Sequence, residues 1–377
     1  MKPYAEIGHS LSQVDTPALI IDLDAFETNL KTMADLISNG PAKLRGHSKT
    51  HKSPIIGLKQ MNLGAIGVCC QKVAEAEAMV EGGVDNVLIS NQIAGLSKLD
   101  RLADLNKQAY VPFCVDHMEG VAQASMAAKR AGVVMDVLVE IDVGGERCGV
   151  LPGQKAVDMA KLVEEANGLR FAGLQAYHGS IQHIRDHLER HSAAEAAIIL
   201  TRETVAALSA EGYSCDIVGG AGTGTFQTEA ISGVYNELQA GSYVFMDADY
   251  SQNKDATGQE DRGFQNALFV LTTVMSNPVP ERVILDAGHK TCAIDSGPPQ
   301  VFGLPGAITG SLSDEHTVLN LKNVKDRPKW GENVLLIPGH CDPTVNLHSH
   351  YVCVRGLHTP EATVEDIWPV AARGALN

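Results

Sequence analysis

Along the chain, short and almost wholly apolar runs alternate with longer segments whose apolar residues recur every three or four positions. The first run, Pro17 to Leu23, predicts a strand, and Phe26, Leu30, Met33 and Leu36 behind it keep helical spacing. The same alternation gives strands at Ala42–Leu44, Ala65–Cys70, Asn86–Ser90, Val111–Asp116, Asp136–Asp142, Phe171–Tyr177, Cys215–Val218 and Tyr243–Met246. Helical patterns fall between them, at Val73–Val80, Met118–Arg130, Ala156–Ala166 and Ala193–Ala210. Continuous apolar strands separated by amphipathic helices predict a parallel sheet covered on its outside. Some eight such units over roughly 230 residues point to a (β/α)₈ barrel of the TIM type. A doubly wound open sheet is the alternative, and periodicity does not separate the two.

After about Gln265 the rhythm changes. Leu268–Met275, Arg282–Leu285, Val334–Ile337 and Tyr351–Val354 read as strands joined by Pro- and Gly-rich connections with little helical pattern. The polar stretch Tyr250–Gly263 marks the boundary. The expected division is a barrel over residues 17–255 and a C-terminal, mainly β unit over 256–377, joined by residues 1–16.

Composition narrows the partners. A net charge of −15 argues against nucleic acid or an anionic membrane, and it makes any local cluster of cations conspicuous. The eight cysteines show no paired spacing, and several sit inside apolar runs such as Cys69 and Cys70, so buried free thiols in a reducing compartment are expected. Met1 to Ser10 has no apolar core of signal length and no apolar run is long enough to span a membrane, which predicts a soluble, cytoplasmic protein.

Candidate chemistry collects where strands end, the functional face of a parallel barrel. Arg45-Gly46-His47-Ser48-Lys49-Thr50-His51-Lys52 places three cations and two imidazoles in eight residues without an acid. Mutual repulsion in such a loop would lower a lysine pKa toward a nucleophilic amine; the plain alternative is a basic surface loop. Further strand ends carry Cys70-Gln71-Lys72, Glu140 to Gly149 with Arg147, and Tyr177-His178-Gly179-Ser180 with His183 beyond. After the seventh strand comes Gly219-Gly220-Ala221-Gly222-Thr223-Gly224-Thr225, and Gly241-Ser242-Tyr243 leads into the eighth. Glycine-rich turns let backbone N–H groups converge on an anion, and this position in a barrel commonly holds phosphate. A phosphate cradle opposite an aldehyde-capturing lysine suggests pyridoxal phosphate. In the β unit, His340 and Asp342 are two residues apart, so an extended segment would send both side chains to one face, where they suit a divalent cation. A turn with a satisfied histidine is the alternative there.

These residues resemble a known family. His47-x-Lys49-x-His51-Lys52, Cys69-Cys70-Gln71-Lys72-Val73, Ala176-Tyr177-His178-Gly179-Ser180 and Tyr243-x-Phe245-Met246-Asp247 are similar to the fold-type III pyridoxal phosphate enzymes, which are alanine racemase-like. The similarity runs from Thr16-Pro17 to Ile367-Trp368-Pro369 and Ala372-Arg373-Gly374, and falls in the D-threonine aldolase and D-serine dehydratase branch. Within the branch, His340-Cys341-Asp342-Pro343-Thr344 resembles the D-threonine aldolases and the 3-hydroxy-D-aspartate aldolases; the dehydratases tend to have a cysteine where Asp342 stands. Two positions depart from the family pattern: Gly46, often proline, which should loosen the loop, and His289, often leucine.

The resemblance implies a carbon–carbon lyase that cleaves β-hydroxy-D-amino acids to glycine and an aldehyde. It implies Lys49 as the lysine that condenses with the cofactor, with Gln71, Arg147 and Tyr177 around the ring. Thr223, Gly224, Gly241, Ser242 and Tyr243 would lie near the phosphate. His340 and Asp342 would bind the metal, Mn²⁺ or Mg²⁺ first and Zn²⁺ or Co²⁺ after them. His183 is the first candidate base, and His51 the second or else a residue that holds or tunes Lys49. A homodimer is implied as well. The competing readings are a 3-hydroxy-D-aspartate aldolase giving glycine and glyoxylate, a D-serine or 3-hydroxy-D-aspartate dehydratase giving a 2-oxo acid and ammonia, a racemase, and a non-enzymatic pyridoxal phosphate carrier.

Overall fold

The structure is a computed structural model and describes residues 4–377. Its first sheet is wholly parallel and runs from Lys43–Leu44 through Glu237–Leu238, Ile217–Gly220, Leu169–Ala176, Met135–Glu140, Phe113–Val115, Val87–Gln92 and Val68–Cys70 to Gly46–His47. The two end segments are one strand interrupted at Arg45, so the sheet closes on itself as an eight-stranded barrel. Six inward side chains, Cys69, Leu88, Cys114, Leu138, Ala172 and Ile217, pack together within it. Outside, the strands and helices share a core that includes Val68, Ile89, Leu102, Val137, Ala160 and Ile198. All eight cysteines are free, as their spacing predicts.

Three expectations change in detail. Tyr243–Met246 is not a strand: Ser242–Val244 is a tight helical turn, and the N–H groups of Phe245 and Met246 both donate to the Ser242 carbonyl. The eighth strand is Glu237–Leu238. An apolar pattern misses it because its glutamate is buried against Arg45, with Nε 2.6 Å from Oε2. Leu36 is exposed, and Ile37 completes the buried stripe of Phe26, Leu30 and Met33.

The third change concerns Ala18–Asp22. Rhythm groups this strand with the barrel, but it hydrogen-bonds in the second sheet, antiparallel to Leu268–Ser276 and parallel to His350–Arg355. Both its faces are covered, Leu19 and Ile21 on one side and Ala18 and Ile20 on the other. The rest of that sheet is antiparallel. Arg282–Leu285, Thr317–Asn320 and Ile308–Leu312 extend it one way and Thr363–Pro369 the other, while Asn333–Ile337 pairs both Leu268–Ser276 and Gln300–Val301. Asp22 then starts the helix Leu23–Ile37, its carboxylate accepting from the N–H groups of Asp24 and Ala25. Phe26, Leu44, Ile56, Phe245, Tyr351 and Trp368 belong to one core that joins barrel and β unit.

Candidate active site

Lys49 follows directly on the first barrel strand. His47 ends that strand, and its Nδ1 accepts from the Lys49 N–H at 3.3 Å as the chain turns through Ser48–Thr50. That bond leaves the ring proton on Nε2, which lies 2.8 Å from the Gln71 amide nitrogen, a pairing that suits the amide turned to present its oxygen. The expected lowering of the lysine does not occur, because each cation meets a carboxylate from elsewhere in the chain. Arg45 pairs with Glu237, Lys52 with Glu75 at 2.8 Å, and Lys49 with Asp342, Nζ to Oδ2 at 2.5 Å. The Asp342 carboxylate therefore raises the Lys49 ammonium above the usual lysine range, outweighing burial, where self-repulsion would have lowered it. His51 is buried and pushed down to about 4 by desolvation, so it is neutral, and its Nδ1 already accepts from the Ser53 N–H.

Asp342 comes from the β unit. The segment carrying it is not extended: Cys341–Val345 is a short helix with His340 at its N-cap. Its placement depends on the barrel. Asp247 Oδ2 accepts from the Cys341 N–H at 3.0 Å, and Ala248 and Asp249 donate to the carbonyls of Pro338 and Gly339. Burial acts to raise the Asp342 pKa, but Lys49 and His340 outweigh it and hold the carboxyl far below the usual range. Its Oδ1 is buried and unpartnered. His340 gives Nδ1 to Asp295 at 2.6 Å, which leaves Nε2 as the ring's free nitrogen. An orphan carboxylate oxygen and a free imidazole nitrogen fit a divalent cation. Among the described residues no group of three or more His, Cys, Asp or Glu gathers into a metal cage, so these two would be its protein ligands and water or substrate would complete the shell.

Tyr177, near enough to Lys49 to act on its charge, meets Arg147, the guanidinium carbon 5.5 Å from the phenol ring centre. Glu140 backs Arg147 at 3.8 Å and accepts from Gln92 at 2.6 Å. A cavity of about 210 Å³ lined by Glu140, Asp142, Arg147, Tyr177 and Ser180 opens here. The glycine turns are built for close approach. A Cβ on Gly241 would stand 2.8 Å from the Thr50 hydroxyl and 2.9 Å from the His47 carbonyl. The Gly224 N–H is taken by Gln182 and the Tyr243 N–H by Thr223, while the Tyr243 hydroxyl accepts from Gln60. Among the described residues, the N–H groups of Gly222, Thr223, Gly241 and Ser242 have no hydrogen-bond acceptor, and they are the donors free to receive a phosphate. Gly46 does not loosen its loop: a Cβ there would fall 2.5 Å from the Gln60 amide, so the glycine makes room for the residue that holds Tyr243.

His183 ends the turn beyond the sixth strand, its Nδ1 2.8 Å from Asp249 Oδ2 and its ring 4.6 Å from that of Tyr250. Lys49 and His340 are both near enough to act on its charge, although burial is the larger influence and lowers its pKa. Sequence reading missed Asp249, Tyr250 and Asp295 as parts of the site, and gave His47 no role of its own within the Lys49 cluster. Only Asp247-Ala248-Asp249-Tyr250, an acid-rich run at a barrel rim, carried a local signal. The His289 ring makes no hydrogen bond within the described chain and stays unassigned.

Comparison with known proteins agrees with this geometry. Residues 21–249 match the model of the alanine racemase N-terminal domain, and residues 267–354 that of a putative serine dehydratase domain. A D-threonine aldolase of Arthrobacter sp. is 44% identical over 99% of this chain and 97% of its own. A 3-hydroxy-D-aspartate aldolase of Paracoccus denitrificans (strain Pd 1222) is also 44% identical, over 97% of this chain and 94% of its own. The crystal structure of D-threonine aldolase from Filomicrobium marinum superposes with a TM-score of 0.96 at 50% identity, covering 99% of this chain and 100% of that one. Dehydratases are more distant, the D-threo-3-hydroxyaspartate dehydratase of Delftia sp. standing at 26% identity.

Proposed function

The chain belongs to the fold-type III pyridoxal phosphate family that joins an alanine racemase N-terminal domain to a serine dehydratase domain, and from that premise we propose that it cleaves β-hydroxy-D-amino acids of the D-threonine kind to glycine and an aldehyde. It is a carbon–carbon lyase. One observation carries the reading: a lysine able to capture an aldehyde and a carboxylate with a spare oxygen meet at 2.5 Å, delivered by the barrel and the β unit respectively.

When bound, pyridoxal phosphate supplies an electron sink for the pair left at Cα, and a divalent cation acidifies a β-hydroxyl by several units. The chain's own residues do the rest. Lys49 holds the cofactor's aldehyde carbon, and the free amides of the glycine turns, Gly222, Thr223, Gly241 and Ser242, receive its phosphate. Gln71, fixed by His47 and Ser90, stands with Tyr177 and Arg147 around the ring. His340 and Asp342 hold the cation, and His183 takes the hydroxyl proton. His51 is buried and neutral, with its carbonyl accepting from the Tyr351 hydroxyl at 2.5 Å, which suits a residue that holds the Lys49 turn. The barrel is the cofactor-binding unit and the β unit brings the metal ligands. Mn²⁺ or Mg²⁺ as the cation, a homodimeric assembly and a cytoplasmic location complete the proposal; none of the described helices is long and apolar enough to cross a membrane.

Product analysis tests it, on D-threonine and on erythro- and threo-3-hydroxy-D-aspartate, with and without EDTA. Glycine and an aldehyde, lost on chelation and restored by Mn²⁺ or Mg²⁺, support the metal-assisted aldolase, and the preferred substrate divides the D-threonine type from the hydroxyaspartate type. A 2-oxo acid with ammonia would move the chain to the dehydratases.

A further inference from the structure

We propose that Asp249, itself clamped by Arg185, positions His183 for proton transfer; the inference rests on the aldolase reading above. His183 Nδ1 and Asp249 Oδ2 are 2.8 Å apart, yet Nδ1 is buried and lies outside hydrogen-bond geometry toward any partner. The contact becomes ionic only when the ring is protonated, and a small rotation of the ring would bring donor and acceptor into line. The carboxylate is not free to follow the ring. Arg185 grips its Oδ1 through Nη2 and reaches the Asp249 carbonyl at 2.7 Å and Asn253 Oδ1 at 2.8 Å through Nη1. Tyr250 packs against the imidazole on the same segment.

An acceptor fixed beside Nδ1 does two things to an imidazole. It keeps the proton on Nδ1, so that Nε2 presents its lone pair, and it stabilises the imidazolium once a second proton arrives. In the cleavage, the β-hydroxyl O–H breaks and its proton forms an N–H on His183. The O–H pair becomes part of the aldehyde C=O, and the Cα–Cβ pair stays at Cα, which then takes a proton to give glycine. Asp249 changes no covalent bond; it offsets the charge that appears on the ring. The backbone adds a constraint. Asp249 N–H donates to the Gly339 carbonyl at 3.3 Å, one residue before His340, so the run Asp247–Tyr250 sets both the base and the cation-binding arm.

The experiment uses the cofactor-loaded, Mn²⁺-supplemented enzyme and four variants: Asp249→Asn, Asp249→Glu, His183→Asn and the double variant Asp249→Asn/His183→Asn. Asp249→Asn is expected to lower kcat on the order of 10²-fold, the scale of a positioned general base, with KM and the cofactor's absorbance unchanged. Asp249→Glu should recover part of that loss, and the double variant should be no slower than His183→Asn, since residues acting as one unit are not additive. If His183→Asn is inactive but Asp249→Asn keeps the parent kcat, or if the double variant multiplies the two losses, the positioning role is overturned while the base assignment stands. Full activity of His183→Asn overturns both. Should Asp249→Asn fail to fold, Arg185→Lys weakens the same clamp, and a kcat loss at constant KM is expected there, with no change in kcat overturning the proposal.

Discussion

Lys49 Nζ and Asp342 Oδ2 lie 2.5 Å apart although 293 positions separate them in the chain. The pair joins the two units at the point where the chemistry is proposed, and each partner controls the other. Asp342 sets the charge on the lysine, and the ammonium occupies one of the two oxygens through which the carboxylate would hold a cation.

Asp342→Ala should keep the cofactor and lose the cleavage. The lysine survives the change, so the cofactor's visible absorbance is expected to match the parent protein. Turnover of D-threonine should fall on the order of 10³-fold, equivalent to several kcal/mol of lost Lewis-acid assistance. A variant of parental activity would remove Asp342 from the metal site.

Cofactor and cation should also bind cooperatively. Condensation of the lysine amine with an aldehyde releases water and leaves at most one hydrogen on a nitrogen that had three, so competition for Asp342 weakens. Mn²⁺ titrated calorimetrically is expected to bind roughly ten-fold more tightly to cofactor-loaded than to cofactor-free protein, and by reciprocity Mn²⁺ should tighten cofactor binding by the same factor. Equal affinities in the two forms would show that Lys49 does not compete.

The glycine turn makes a different kind of prediction. A Cβ on Gly222 would stand 2.4 Å from the end of the Gln182 side chain, and one on Gly224 would stand 2.4 Å from the Gln182 backbone carbonyl. Gly222→Ala should therefore cost about 1 kcal/mol or more, and Gln182→Ala should relieve most of it. Gly224→Ala should lose more stability and gain nothing from the second change. Thermal melts of the four variants decide it, and relief of both glycine variants alike would contradict the geometry.

Glu229 predicts a pH dependence of stability. Its carboxyl is buried behind that turn, with Oε1 accepting from Thr225 at 2.8 Å and Oε2 unpartnered, and burial pushes its pKa from 4.5 up to about 7. A folded-state pKa above the unfolded one favours the fold while the group is protonated. Its contribution is whole below about pH 4.5 and is lost as pH rises to about 7, a change of roughly 3 kcal/mol at 1.36 kcal/mol per unit. Glu229→Gln should flatten this part of the profile and be relatively more stable than the parent at pH 8 than at pH 5. Parallel melting profiles for the two proteins would mean that Glu229 is ionised in the fold.

Much of this was visible in the linear sequence. Apolar runs ending in glycine or polar residues announced a parallel barrel, and the Lys49 cluster, the Gly219–Thr225 turn and His183 stand at the strand ends they were read to occupy. Charge pairing was not legible, because Glu237, Asp342 and Glu75 are distant in sequence from the cations they meet. The Lys49 pKa was therefore expected to move the wrong way. The same blindness hid the eighth strand, since a buried glutamate reads as surface until its arginine is found. Tyr243–Met246 misled for the opposite reason, being apolar enough for a strand while its backbone closes on Ser242. His340 and Asp342 were picked out from an extended pattern that the short helix Cys341–Val345 does not follow.

The strand Ala18–Asp22 works as a suture. It lies between Leu268–Ser276 and His350–Arg355, and the chain passes from it straight into the helix Leu23–Ile37 and the barrel. Neither unit can be excised intact: cutting the chain at residue 255 would pull a central strand out of the sheet left behind. The two halves should accordingly melt in one transition. The arm that brings Asp342 to Lys49 is thus stitched through this strand to the helix that leads into the barrel, and any swing between the two sides of the site would have to strain the hydrogen bonds of the shared sheet.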